Sequence, residues 1–336
     1  MARALKITAI VFAILIALRF LWIAHAVFII AFLGVLFGLP MARAADWLER
    51  IRIKRAIGAP LVVVILLAAL GGIALIIGPT TRDQSGELGR VLPRALESIE
   101  QRIGMRNAEN VTAMLTHELR GTTKFLFPVV SSILGAIGGF VIVLFLAMYI
   151  AAEPGLYREG VLHLVPHAKR DRAREVLATL RDTLRQWLIA RLIAMTIVGV
   201  LTGLALAALS IEAAAALGVL AGLLEFIPFF GPVFSAIPAI VIAFVQSPEK
   251  AIWVVGLYVA MQQLEGNVIT PLILERRLDI PPALTILAVA SLGVVFGVLG
   301  MLIAEPLLAT ILVTTKLLYV EDVVGDEVTI GRNSHE

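Results

Sequence analysis

Apolar runs long enough, or nearly long enough, to cross a bilayer recur from the first ten residues almost to the end of this chain. They lie near 7–23, 24–40, 60–78, 129–151, 192–210, 213–228, 232–247, 251–272 and 283–316. A hydrocarbon core about 30 Å thick takes about 20 helical residues. Within it only helices and closed barrels satisfy their own backbone polar groups. Runs of this length predict an all-α polytopic membrane protein with about seven to nine membrane segments. Several runs are too short for a full crossing, so short paired helices or re-entrant hairpins are expected among them. The last run is too long for one crossing, and "GVVFGVLG" at 293–300 offers a turn. Composition agrees: 60% of the 336 residues are hydrophobic and 16% charged, against about half and a quarter in soluble domains. There is no cysteine, which excludes disulfides, thiolate catalysis and cysteine-ligated metal.

Lys and Arg gather beside the cytoplasmic ends of membrane helices. The 43–55 connection carries Arg43, Arg50, Arg52, Lys54 and Arg55, and the 153–191 connection carries Arg158, Lys169, Arg170, Arg172, Arg174, Arg181, Arg185 and Arg191. Both are expected in the cytoplasm, with both termini. The 79–128 segment, where seven basic residues face six acidic ones, is expected outside. Each long connection holds a helical repeat: Leu92, Leu96, Ile99 and Ile103 in the outer one, Leu177, Leu180, Leu184 and Leu188 in the inner one. Two amphipathic helices, packed on the protein or on lipid headgroups, are therefore expected. The N-terminus resembles a signal peptide, but Arg19 interrupts its apolar stretch, and it is read as a retained membrane segment. Arg19 and His25 are read as a snorkelling and a packed side chain. Gly-x-x-x-Gly pairs at Gly34/Gly38, Gly135/Gly139, Gly199/Gly203, Gly218/Gly222 and Gly293/Gly297 support close helix packing.

Polar groups break the apolar pattern in three places. In "QQLEGN" (262–267), Gln262, Gln263, Glu265, Gly266 and Asn267 share one half of a helix at about 100° per residue. Pro271 then frees the carbonyl of Asn267, because proline carries no N–H. In "LLEFIPFFGPVFSAIP" (223–238), Pro228 frees the carbonyl of Leu224, Pro232 and Pro238 are expected to prevent a continuous helix, and Gly231 permits a turn beside Glu225. The third break is Glu305 before Pro306. Broken helices are a recurrent binding device of secondary transporters. Glutamates at helix C-termini favour a cation or a proton, and intramembrane carboxylates are rarely idle. The expected solute or ion pathway is therefore Glu225, Pro228, Gly231, Pro232, Gln262, Gln263, Glu265, Gly266, Asn267, Pro271 and Glu305. A small polyol would use Gln262, Gln263 and Asn267; a cation would use Glu225, Glu265 and the freed carbonyls.

An enzyme is not expected. His117-Glu118 lacks the second histidine of a zinc helix, and there is no Gly-x-Ser-x-Gly elbow. The absence of a Walker loop points to a gradient as the driving force. No cofactor, metal or nucleic-acid partner is expected.

"EFIPFFGPVFSAIPAIVIAF", "QQLEGNVITPLILERRLDIPP" and "FGVLGMLIAEPLLA" together resemble the autoinducer-2 exporter family of bacterial membrane proteins, the PerM-like permeases. The likeness is strong across 185–320, and only Glu305 departs from it, where members carry a small or apolar residue. It implies a multi-pass inner-membrane transporter with cytoplasmic termini that forms a homo-oligomer, a pentamer being one form. It also implies export of a small sugar-like signalling molecule, or monovalent cation/proton antiport. A non-transporting membrane scaffold is the reading from another class. The expected organisation is one membrane domain over 1–336: an N-terminal hairpin and third segment (1–78), an outer amphipathic segment (79–128), a membrane segment (129–152), an inner basic segment (153–191), a C-terminal bundle with broken helices (192–320) and a polar tail (321–336).

Overall fold

The computed structural model describes residues 2–68, 71–72, 138–273 and 280–326. The expected outer segment 79–128 and the end of the polar tail lie outside the described residues. What is described is helical, with no strand among the described residues. The protein is an all-α membrane protein. Three helices are long and apolar enough to cross: Trp22–Arg50, His167–Ala208 and Pro282–Val324.

Helix α1 (Ala2–Arg50) runs unbroken for 49 residues, about 74 Å at 1.5 Å per residue. The expected hairpin over 7–40 is therefore absent. Apolar length suggested two crossings, but no Gly or Pro stands between Arg19 and Leu33 to make a turn. A helix this long places its ends far apart. The N-terminus and the 43–55 connection, expected on one membrane face, lie at opposite ends of this helix.

Helices α2 (Arg55–Ala68) and α3 (Gly138–Ala152) pack against the second half of α1. Gly34 and Gly38 of α1 lie against Leu146 and Ile150 of α3, so these helices run parallel. Their ends are tied by one side chain. Arg55 donates to Asp46 at 2.6 Å and, through Nε, to the Ala151 carbonyl at 2.9 Å. The two basic connections thus begin at the same end of the bundle. Helix α4 (Pro154–His163) then turns off α3 by 86°.

Helix α5 (Arg170–Ala208) is the spine of the molecule, 39 residues or about 58 Å long. It carries the inner basic segment and the next membrane segment without interruption, so the boundary expected at 191/192 falls inside it. From its far end the chain folds back as α6 (Ala214–Leu224), reverses into α7 (Phe230–Gln246), and reverses again into α8 (Pro248–Leu264). Helix α6 is about 16 Å long, which is half a crossing. With α7 it makes a hairpin whose tip is Glu225–Phe229. Two Gly-x-x-x-Gly pairs explain its closeness to the spine. Gly199 and Gly203 of α5 meet Gly222 and Gly218 of α6 so closely that a methyl on Gly218 would lie 2.6 Å from Gly203 Cα.

A second hairpin enters from the other end. Helix α9 (Pro282–Thr315) reverses at Gly297, whose φ of 64° and ψ of −148° leave the helical region. Gly300 then packs against the Leu292 carbonyl and Gly293 against Met301. The returning limb ends in a wide turn, Lys316–Val324, beside the start of α5. Arg172 closes that end by donating to the Leu317 carbonyl at 2.8 Å and pairing with Asp322 at 2.8 Å. The two hairpins touch where Ile227 packs with Val289 and Ala304.

Candidate functional site

The tip of the first hairpin holds the first break. Pro228 cannot donate to Leu224, and the carbonyl it releases is taken by the Ile227 N–H at 2.9 Å. That freed carbonyl therefore does not line a cavity, contrary to expectation. Phe229 takes φ 63° and ψ −43°, bringing the Phe230 N–H to the Pro228 carbonyl at 2.7 Å. This three-residue turn is rare and strained for a side chain other than glycine. It is held from outside: Phe226 packs edge-on to Trp187 at 5.8 Å and stacks with Phe37 at 6.3 Å. Gly231 lies directly on the turn, where a methyl would sit 2.0 Å from the Leu224 oxygen.

The turn buries Glu225 at the C-terminal end of α6, 1% exposed. Backbone carbonyls converge there, so a carboxylate needs a positive partner. The structure supplies Arg191, 8% exposed and near the middle of α5. Its Nη1 lies 3.6 Å from Glu225 Oε1 and 3.9 Å from Glu265 Oε1. Arg191 was grouped with the cytoplasmic basic residues; it is instead buried between two expected site residues. The signal was present in "WLIARLIAMT" (187–196), where one arginine interrupts an apolar run.

Glu265 opens the second break. Helix α8 ends at Leu264 and continues as a wider π-type turn, Glu265–Ile269, before Thr270–Ile273. Such turns often mark functional sites. They also absorb a missing donor like that of Pro271. Around Glu225 and Glu265 lies a cavity of about 10 Å³, lined also by Thr202, Pro232, Ser235, Tyr258, Met261 and Gln262. It has room for one water. Tyr258 donates to the Ser235 carbonyl at 3.1 Å, which fixes α8 against α7, and the Ser235 hydroxyl donates to the Pro232 carbonyl at 3.0 Å within α7.

The expected polar half-face of α8 divides. Gln262 and Glu265 face the cavity, whereas Gln263, Gly266, Asn267 and Pro271 are exposed away from it. Asn267 donates to Gln263 Oε1 at 3.0 Å on that outer face. An arc of about 200° is too wide for one small cavity. Tyr258 and Gln262, four residues apart, are at its inner edge. Glu305 is partly buried on the second hairpin and does not line the cavity. His25 is packed, as expected: it bonds the Trp22 carbonyl and lies 5.1 Å from the ring of Phe296. No group of three or more His, Cys, Asp or Glu among the described residues is arranged to hold a metal ion.

Comparison with known proteins places this chain in a family. Residues 10–319 match the model described as AI-2E family transporter. YueF of Bacillus subtilis (strain 168), a transport protein by name only, is 24% identical over 279 residues, covering 77% of this chain and 76% of the relative. YrrI of the same organism, likewise so named, is 30% identical over 167 residues, 50% of this chain and 47% of the relative. The AI-2 transport protein TqsA of Escherichia coli (strain K12) is 25% identical over 288 residues, 80% of this chain and 78% of the relative.

Proposed function

We propose that this chain, which belongs to the AI-2E family of transporters, is a gradient-driven permease that moves a small polar solute, such as a sugar-like signalling molecule, out across the bacterial inner membrane. That it is an integral membrane transport protein follows from the family match and the long apolar helices. The observation that carries the finer reading is the small cavity at the breaks of α6, α7 and α8, where polar side chains stand among apolar ones. There Gln262, Thr202 and Ser235 offer amide and hydroxyl groups, and Glu225 and Glu265 offer carboxylates.

A cavity with room for one water is a closed state of such a carrier. To admit a polyol, the hairpins must part on one side and then the other. The two hairpins, which enter from opposite ends and meet where the tip of the first packs on the limbs of the second, are suited to that motion. The homologue TqsA is named for AI-2 transport, which favours a hydroxylated solute. Monovalent cation/proton antiport is the second reading, favoured by the Arg191, Glu225 and Glu265 cluster. In either case the basic connections after α1 and α3 face the cytoplasm, and the protein works as a homo-oligomer. The test is flux into proteoliposomes of purified protein, with a panel of small polyols and monovalent cations under imposed proton and sodium gradients. Polyol flux that follows a gradient supports the first reading. Cation flux with none for polyols supports the second. No flux of any kind would make the protein a scaffold and reject both.

A further inference from the structure

We infer that Arg191, Glu225 and Glu265 form one exchange site that holds a single monovalent positive charge, and that Arg191 is its built-in counter-ion, which sets that number at one. The inference rests on the transporter reading for its use, but the site is argued from geometry alone. Two carboxylates within 4.0 Å of one guanidinium leave one net negative charge in a buried place. That charge requires one further positive partner, since a buried unpaired ion is costly.

The hydrogen bonding is correspondingly incomplete. Arg191 approaches both acids at 3.6 and 3.9 Å, beyond hydrogen-bond distance. Its Nε and Nη2 are buried without a partner, as are both Glu225 oxygens. A closed ion pair of this kind would be clasped at under 3 Å with two parallel bonds. Here Arg191 stands off from both acids, and Glu225 and Glu265 line a cavity of about 10 Å³, the size of a water, a hydronium or a small dehydrated cation. Glu225 contributes from the C-terminal end of α6, whose carbonyls add to the preference for positive charge, and Glu265 contributes from the wider turn that follows α8. Tyr258 faces the same cavity, and Glu305 of the second hairpin does not line it. Neither lies within ion-pair distance of Arg191 among the described residues.

Arg191 decides selectivity. Without it, two carboxylates would attract a divalent cation or two monovalent ones. With it, a divalent cation meets a fixed positive charge and is disfavoured, whereas a proton or an alkali cation neutralises the cluster. Arg191 cannot itself leave or lose its proton, so it swings between the two acids as the mobile charge comes and goes.

The test is thermal unfolding of the purified full-length protein in detergent, since a ligand that binds only the folded state raises the melting temperature. Wild type, Glu225→Gln, Arg191→Gln and the double variant are each titrated with NaCl, KCl and CaCl2 against choline chloride at matched ionic strength, and from pH 8 to pH 5. Wild type should be stabilised by an alkali cation, or by acidification alone if the occupant is a proton, and not by calcium. Glu225→Gln should lose that response. Arg191→Gln should gain calcium stabilisation, with an apparent affinity at least tenfold tighter than wild type. Arg191→Gln combined with Glu225→Gln again carries one net negative charge and should recover a monovalent response, which also covers failure of Arg191→Gln alone to fold. Glu305→Gln should leave the order unchanged. A wild type insensitive to both alkali cations and pH overturns the inference, as does an unaltered preference in both Arg191 variants. Polyol flux in proteoliposomes with no ion response would sink this site alone. The expected ion responses without polyol flux would leave the site standing and reject the polyol reading.

Discussion

Gly231→Ala tests the turn on which the site depends. A methyl at this position would lie 2.0 Å from the Leu224 oxygen and 2.6 Å from its carbonyl carbon. Carbon and oxygen need about 3.3 Å, so the start of α7 or the end of α6 must move by more than about 1 Å. The obstacle is backbone, and the turn it belongs to is held by the Ile227 N–H to Leu224 bond at 2.9 Å and the Gly231 N–H to Ile227 bond at 2.9 Å. Overpacking costs about 1–3 kcal/mol, and each hydrogen bond lost about 1 kcal/mol more. The expected destabilisation is about 3 kcal/mol, or roughly 5 °C or more in melting temperature. Gly266→Ala is the control from the same set of expected site residues. Nothing lies within 4 Å of its added methyl, so its effect should stay within about 1 kcal/mol. Both are read by thermal unfolding in detergent and by flux. Equal melting temperatures for the two variants would refute the tight turn and the placement of Glu225 that follows from it.

Gly218→Leu should separate α5 from α6, where even a methyl would lie 2.6 Å from Gly203 Cα. It should cost about 3 kcal/mol or more and abolish flux, measured by unfolding and by proteoliposome assay. Gln262→Ala should weaken solute affinity about tenfold, the loss of one good hydrogen bond to a bound solute. Asn267→Ala, on the outer face, should leave it unchanged; the concentration dependence of flux decides. Arg172→Ala should release the 317–322 turn from α5. Its cost should not exceed about 2 kcal/mol, and the C-terminal segment should become more sensitive to protease. Because the chain has no cysteine, single cysteines report sidedness. Positions 50 and 158 should label from the same membrane face and position 12 from the other.

The breaks were legible because proline acts by subtraction: Pro228, Pro232 and Pro271 each remove a donor wherever they stand. The reversal at Gly297 was legible from length, since 283–316 exceeds one crossing and carries glycines at the right place. Length failed at the N-terminus, where 7–40 satisfies the count for two segments but contains no residue that ends a helix before the second begins. Gln262 and Asn267 were separated only by the fold, because a helical wheel orders side chains around an axis without stating which arc meets a neighbour. Arg191 was missed for a different reason. Counting Lys and Arg along a connection treats each as a surface charge, and the helical repeat of Leu180, Leu184 and Leu188 on the same helix made 153–191 look like one peripheral segment. The flanks of Arg191 are apolar for at least three residues on each side, which is what distinguishes it from Arg181 and Arg185.

The placement of Arg191 on α5 has a mechanical consequence. The same continuous helix meets the second hairpin near its start, through Arg172 and the 317–322 turn, and the first hairpin near its middle, through Arg191 and Glu225. The glycine seam beyond Arg191 holds α6 to α5 by backbone contact, so the first hairpin has little freedom to part from the spine. The second hairpin is attached to the spine at that end by exposed or half-exposed ion pairs, which are weak and screened by salt, and by a small cluster around Val176, Val313 and Leu317. Ile303 and Ala309 of α9 also share a core with Leu184 and Leu188 of α5, and no residue of α9 lines the cavity, so motion of the second hairpin reaches the cavity only through the first. Because Ile227 at the tip of the first hairpin packs on Val289 and Ala304 of the second, such motion withdraws support from the strained turn at Phe229. The turn is where Glu225 is fixed, so movement of the second hairpin and charge at the Arg191 cluster act on the same few residues.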